Sequence, residues 1–317
     1  MDDSHINSSY YGNEAPIRDE IILKVLSKRT TNDSKKKTNN RKKKKKRRKR
    51  IIIISLFILF LLIFIGSGFA IYKWHMDNKK TDKVIEEIEE ITNVEEVIGD
   101  EEVTTELVNE PKDEPESDYW YYITFPLIQV DFNELVKKNS DTVAWIQVNN
   151  TNINYPIVQT NNNDYYLTRS YDKSWNEAGW VFMDYRNSGT LSDKNTIIYA
   201  HSRLDKTMFG SLSKVLKSDW YKNKDNHIIK MSTPTENSLW QIFSVYRIEA
   251  ENYYITTDFC SDIEYLEFLN TLKTRSKHNF AVNLSETDSI ITLSTCYSET
   301  ERTVVHAKKI KKSDRTS

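Results

Sequence analysis

The chain has 317 residues, with 45 Lys and Arg against 46 Asp and Glu, so its formal net charge of −1 conceals strong segregation along its length. It has seven glycines, two cysteines and six histidines, and no Gly-rich phosphate loop, nucleotide fingerprint, zinc-type C-x-x-C or H-x-x-x-H spacing, or EF-hand-like loop occurs in it. Nucleotide-dependent and metal-dependent chemistries therefore fall away, and no cofactor is expected.

Residues 1–34 are polar and lack periodicity, and thirteen of the sixteen positions at 35–50 are Lys or Arg. Residues 1–50 thus read as a disordered, basic cytoplasmic tail. Residues 51–72 follow without a single charge. A helix of that length spans about 33 Å, enough for a hydrocarbon core of about 30 Å. The basic cluster holds the N-terminal end in the cytoplasm. The expectation is a single-pass cell-membrane protein whose chain beyond Tyr72 is extracellular. Gly68-Phe69-Ala70 offers small residues for signal-peptide cleavage, but a leader of about fifty residues is far longer than a usual n-region. A Lys/Arg run also suits nucleic acid. Beside a membrane span it reads instead as an orientation signal touching anionic lipid, and no nucleic-acid partner is expected.

Residues 73–118 read as an acidic extracellular stalk, with sixteen acidic and two basic side chains between positions 82 and 118. Val84, Ile88, Ile91, Val94 and Ile98 recur every three or four residues, which predicts a short amphipathic helix. Pro111 and Pro115 among acids predict an extended, self-repelling segment beyond it. A spacer is the simplest reading, because the periodic stretch is short for a coiled coil.

Residues 119–312 form one domain large enough for a single core, followed by a short tail at 313–317. Asp131 is placed to cap a helix, with Glu134 as its box partner. Strand-like runs then dominate, at 144–148, 153–158, 180–184, 196–199, 227–231, 240–248, 289–294 and 303–310. Helical periodicity returns at 208–221 and at 263–275. Eight strand candidates with few helices indicate a mainly β domain, either barrel or sandwich. With glycine scarce, turns such as Asn149-Asn150 lean on Asn and Asp.

Three residues at strand ends carry chemistry. His201 ends Asn195-Thr-Ile-Ile-Tyr-Ala-His201, Cys296 ends Ile290-Ile-Thr-Leu-Ser-Thr-Cys296, and Arg302 opens the next run. A thiol, an imidazole and a guanidinium are what a cysteine acyl-transferase needs. A free thiol is only a few per cent ionised at neutral pH, so it requires electropositive surroundings. Strand alternation puts Arg302, Val304 and His306 on one face, which makes His306 a rival imidazole. A bridge between Cys260 and Cys296 would disable the nucleophile, so both thiols must be free; Cys260 reads as an ordinary half-buried cysteine.

Thr292-Leu-Ser-Thr-Cys296 followed by Arg302-Thr-Val-Val-His-Ala307 resembles the signature of the sortases, class B in particular. Asp131-Phe-x-x-Leu135, Trp145-Ile-x-Val148, Thr151-x-Ile-Asn-Tyr-Pro-Ile-Val-Gln159, Asp164-Tyr-Tyr-Leu167, Val181-Phe-x-Asp-Tyr-Arg186, Tyr199-Ala-His-Ser202 and Met208-Phe-Gly-Ser-Leu212 are similar to successive class B blocks, in order. The resemblance implies a closed eight-stranded barrel with a few peripheral helices, and a cysteine transpeptidase of a Gram-positive cell surface. It implies that Cys296 attacks a sorting signal after threonine, that His201 moves protons, and that Arg302 serves the oxyanion or the substrate backbone. Implied partners are sorting-signal-bearing surface proteins and a cell-wall amine, whether a glycine bridge, a diaminopimelate side chain or, in a pilus-linking enzyme, a pilin lysine. A thiol hydrolase and a catalytically silent wall-binding module are the alternatives. Two departures stand out: only five residues separate Cys296 from Arg302, and Ala200 stands where the family more often has glycine. Substrate recognition is expected from the barrel groove and the loop at 219–225.

Overall fold

The computed structural model describes residues 15–97, 105–111, 118–296 and 300–315. The chain divides into two compact units, Met1–Lys73 and Trp74–Ser317. Helix α1 (Ala15–Ile91) fills the described part of the first unit and runs into the second. Every side chain at 51–72 is exposed, and among the described residues this is the one helix long and apolar enough to cross a membrane. So long an apolar run is stable in lipid, where a helix satisfies its own backbone. The structureless tail expected at 1–50 does not hold for residues 15–50, which are helical. Lys and Arg are good helix formers, and the apolar segment supplies a nucleus onto which further turns add. Residues 1–14 of that tail lie outside the described residues.

The second unit corrects the expected stalk. The predicted apolar stripe exists, but it packs into the domain: Val84 and Ile88 are buried in the main core, with Ile91 and Val94 packed against it. Strand β1 (Val94–Val97) and strand β2 (Thr105–Leu107) follow, then helix α2 (Asp118–Tyr122), strand β3 (Leu127–Val130) and helix α3 (Asn133–Lys138). β1 pairs antiparallel with β3, and Glu96 reaches the buried Lys230 amine at 2.8 Å. Acidic residues here find lysine partners instead of repelling one another into a spacer; Ile98 and Pro115 lie outside the described residues.

Eight strands close a barrel: β4 (Thr142–Val148), β5 (Asn154–Val158), β6 (Phe182–Met183), β7 (Asn195–His201), β8 (Ile228–Ser232), β9 (Glu236–Glu249), β10 (Ile290–Cys296) and β11 (Glu301–Asp314). Their order is β10-β7-β6-β5-β4-β8-β9-β11, and antiparallel pairing of β10 with β11 completes the ring. Pairs β5–β6 and β7–β10 are parallel. β2 adds to the distal end of β11, through residues 105–107 opposite 311–313. Closure leaves the main ring without a free edge. Helix α4 (Ser218–Lys222) and helix α5 (Asp262–Thr274) complete the mainly β unit. Trp145, Trp180, Trp240, Phe209 and Phe243 are among its fully buried side chains.

Several local readings shift. Asp131 accepts the Asn133 backbone N–H at 2.9 Å, one turn position early, while Glu134 pairs with Lys137 and does not close a box. The run at 180–184 forms only a two-residue strand, because Gly179 (φ +61°) and the Asp184 turn bound it. The helical segment expected at 208–221 is a 3-10 turn, Gly210–Leu216, followed by α4. Cys260 is a free and exposed thiol, not a half-buried one. It precedes the Ser261 cap of α5, and its N–H is held at the surface by the Glu264 carboxylate at 2.7 Å.

Candidate active site

Backbone register brings the three sequence-selected residues together. Cys296 is the parallel partner of His201 on β7 and the antiparallel partner of Arg302 on β11. The three positions form one rung across adjacent strands, with His201 and Arg302 about 10 Å apart at ordinary strand spacing. Residues directly opposite one another share a face of the sheet. Alternation puts position 296 on the same strand face as Ser294, which lines a groove of about 380 Å³ together with Leu167, Tyr199, His201, Tyr254 and Arg302. The five-residue connection is thus long enough to carry the chain from one rung partner to the other; residues 297–299 within it lie outside the described residues. Ala200 occupies regular extended backbone opposite Thr295, so nothing there requires a glycine.

His201 is oriented from behind. Its Nε2 lies 2.8 Å from the Leu167 carbonyl oxygen. A carbonyl only accepts, so Nε2 carries the hydrogen and donates it, which leaves Nδ1 as the ring nitrogen not engaged by this bond. Gly179 makes this approach possible: a Cβ there would lie 2.9 Å from His201 Cδ2 and 2.6 Å from the Tyr166 carbonyl oxygen. Its φ of +61° also suits glycine alone without strain. Arg302 is half-buried and donates from its guanidinium to the Glu301 carbonyl at 3.1 Å.

A Sortase domain model matches residues 146–310. Sortase B of Listeria monocytogenes is 32% identical over 262 residues, covering 81% of this chain and 96% of that protein. The chain belongs to the sortase family. Sortase B of Staphylococcus aureus is 37% identical to this sortase over 186 residues, 58% of this chain and 75% of the relative. A Staphylococcus aureus sortase B–substrate complex superposes with a TM-score of 0.54 at 40% identity, covering 57% of this chain and 84% of that one. The chain is therefore a class B sortase and a cysteine transpeptidase by family.

In this sortase, two buried networks hold the groove walls. Asp184 is fully buried and accepts from Arg186 (2.9 and 2.7 Å), the Tyr199 hydroxyl (2.9 Å) and the Asn163 amide (3.0 Å). Arg186 also donates to the Ile255 carbonyl at 3.0 Å, so one carboxylate ties the wall at 163–167 to the wall at 250–255. Burial pushes the Asp184 carboxyl up, but hydrogen bonds from the Arg186 side chain, its backbone and Tyr199 outweigh it and leave the group below its ordinary value.

The second network removes His306 from contention as a catalyst. Its imidazole is fully buried, and the hydrogen bonds fix a neutral tautomer. Asn195 donates its amide to the carbonyls of Tyr254 and Thr256, so its Oδ1 accepts the Thr292 hydroxyl at 2.7 Å. Thr292 must then accept from His306 Nδ1–H at 2.8 Å, and the Tyr246 hydroxyl donates to Nε2 at 2.8 Å. Burial, with a smaller contribution from the Arg275 charge, depresses this imidazole from 6.5 to about 3. The unfolded chain therefore binds a proton between those values that the folded chain refuses. The stabilising contribution is complete above pH 6.5 and is lost as pH falls toward 3. A thermal midpoint measured from pH 7 downward falls accordingly, and the fall is shallower in His306→Gln, which cannot titrate.

The loop at 219–225, expected to recognise substrate, contributes nothing to the groove. It belongs to α4 and the turn after it, where Trp220 is buried and Asn226 bonds the Trp220 carbonyl. The wall comes instead from 250–255, a stretch without apolar periodicity that sequence reasoning passed over. Gly179 and the Leu167 carbonyl were missed as well; the lone glycine before Trp180 was the available signal.

Proposed function

We propose that this sortase is a single-pass membrane enzyme with its N-terminus in the cytoplasm and its barrel outside. It cleaves a C-terminal sorting signal after threonine, holds the surface protein as a thioester on Cys296, and passes it to a cell-wall amine. The observation that carries this reading is the single rung of His201, Cys296 and Arg302 beside a groove. The existence of a Staphylococcus aureus sortase B–substrate complex supports a substrate-binding role for this domain.

In the first half-reaction the Cys296 thiolate attacks the threonine carbonyl carbon, and the negative charge that develops on oxygen is stabilised by Arg302. The C–N bond breaks as His201 Nδ1–H gives its proton to the departing amine. In the second, an incoming amine attacks the thioester, hands its proton to Nδ1 and releases the thiolate. Throughout, Nε2 keeps its bond to the Leu167 carbonyl and holds the ring in place.

The register of Arg302 directly opposite Cys296 on an antiparallel pair supports the oxyanion role over the alternative of holding the substrate backbone. Arg302→Lys keeps the charge but loses the planar fork, and is expected to lower kcat/KM for sorting-peptide cleavage about 100-fold. Product sequencing in the same assay reads the cleavage point. An unchanged rate would remove Arg302 from the mechanism, and cleavage elsewhere than after threonine would correct the specificity. The positively charged flank at 35–50 supports the orientation. A membrane-impermeant maleimide should label the exposed Cys260 on intact cells, and labelling only after lysis would reverse the topology.

A further inference from the structure

A second and larger groove, of about 880 Å³, opens beside the first and shares no lining residue with it. It begins at Ser202, immediately after His201, and at Arg247, the neighbour of Arg302's partner Ile248. Its walls carry Arg203, Lys206, Lys217, Arg247, Arg275 and Lys277, and among the described residues no carboxylate lines it. Building on the transpeptidation reading, we infer that this groove binds the second substrate, and that it selects amine acceptors bearing an anionic group, a carboxylate or a phosphate.

Part of the charge has a local explanation. Arg203 is paired with Asp205 at 2.9 Å, and Arg275 with Glu251. Arg275 and Lys277 also follow the C-terminus of α5, where cations offset the helix dipole. Neither explanation covers Lys206 or Lys217, which come from the loop after β7 and from the end of the 3-10 turn. Lys206, Lys217 and Lys277 are exposed, and among the described residues none has an ion-pair partner. Three separate chain segments therefore converge unneutralised ammonium groups on one concavity, which focuses a positive field where an acceptor must arrive.

The position suits the second half-reaction. The acyl substrate is assigned to the groove that His201 lines, and the second groove starts one residue further along the chain, at Ser202, which gives an incoming amine a separate approach. The loop carrying Arg203 and Lys206 is anchored to His201 itself, whose carbonyl accepts the Phe209 N–H at 3.1 Å, and a bridge joins Ser202 to Met208. Gly210 packs under that loop so closely that a Cβ would lie 2.2 Å from the Arg203 carbonyl oxygen. An acceptor held through its anionic end by Lys206, Lys217 and Lys277 would present its amine toward Nδ1.

The test offers the full-length chain, in non-ionic detergent with a sorting peptide, four amines in two matched pairs: triglycine against triglycinamide, and phosphoethanolamine against ethanolamine. The anionic member of at least one pair should show an acceptor KM about tenfold lower than its neutral partner at low salt, with the gap narrowing near 0.5 M salt. The carboxylate pair and the phosphate pair separately identify the anion that is read. In the triple variant Lys206→Gln, Lys217→Gln, Lys277→Gln, the anionic advantage should vanish while peptide cleavage without amine is unchanged. Equal KM values within both pairs, or a variant that weakens neutral and anionic amines alike, would overturn the inference. Calorimetric binding of the same amines to Cys296→Ala separates the two claims. Charge-selective binding without any transfer by the wild type would refute transpeptidation and leave the groove assigned; transfer without charge selection does the reverse.

Discussion

Replacing Cys296 with alanine is expected to abolish both peptide cleavage and transfer, with a loss of at least about 10⁴-fold, because no other group can carry the acyl chain. The register puts one cysteine position on the rung with His201 and Arg302. Cys260, the other cysteine, is exposed at the start of α5 and lines neither groove. Cys260→Ser should therefore retain full activity, and the contrast between the two variants assigns the nucleophile. A Cys296→Ala protein that still cleaved sorting peptides at the normal rate would falsify the covalent mechanism. Because the substitution removes one sulfur atom at a strand end, its thermal midpoint should stay close to the parent's, so that lost activity is not lost folding.

His201→Gln is expected to lower both half-reactions by about 10²- to 10⁴-fold, the range typical of a missing general acid–base. Glutamine preserves an N–H that reaches the Leu167 carbonyl, so the local geometry survives while proton exchange does not. The peptide's KM should change little, since the groove walls are held by Asp184 and Arg186 and not by the imidazole. Gly179→Ala is the positional counterpart. Its Cβ would press on His201 Cδ2 from 2.9 Å, so kcat should fall although every reacting group is still present. A His201→Gln enzyme with undiminished cleavage would pass the proton-transfer role to another group, and the buried His306 is a poor heir.

The sequence was legible where chemistry sits at the end of an apolar run. Cys296, His201 and Arg302 each terminate or begin a β-branched strand, and the register then sets them side by side. The closed barrel followed from the ordered class B blocks; periodicity alone left barrel and sandwich open. What could not be read was the identity of partners. The stripe at Val84 and Ile88 announces a buried face but not what buries it, and the domain's own core proved to be the answer. The same holds for Asp184, an unremarkable acid in a strand block that becomes the knot between two walls only once Arg186, Tyr199 and Asn163 converge on it. The Leu167 carbonyl is beyond any side-chain reading, because backbone acceptors carry no residue signature. Six basic residues scattered from position 203 to 277 look like ordinary surface charge until the fold gathers them into one groove.

Intact-mass spectrometry with peptide mapping, on the full-length chain incubated with sorting-signal peptides and an amine, tests the central claim most directly. The account predicts an added mass equal to the peptide up to its threonine, located on Cys296, stable without amine and converted on amine addition into a ligated product. Ligation without any covalent intermediate, or an acyl group mapped to a residue other than Cys296, would contradict it.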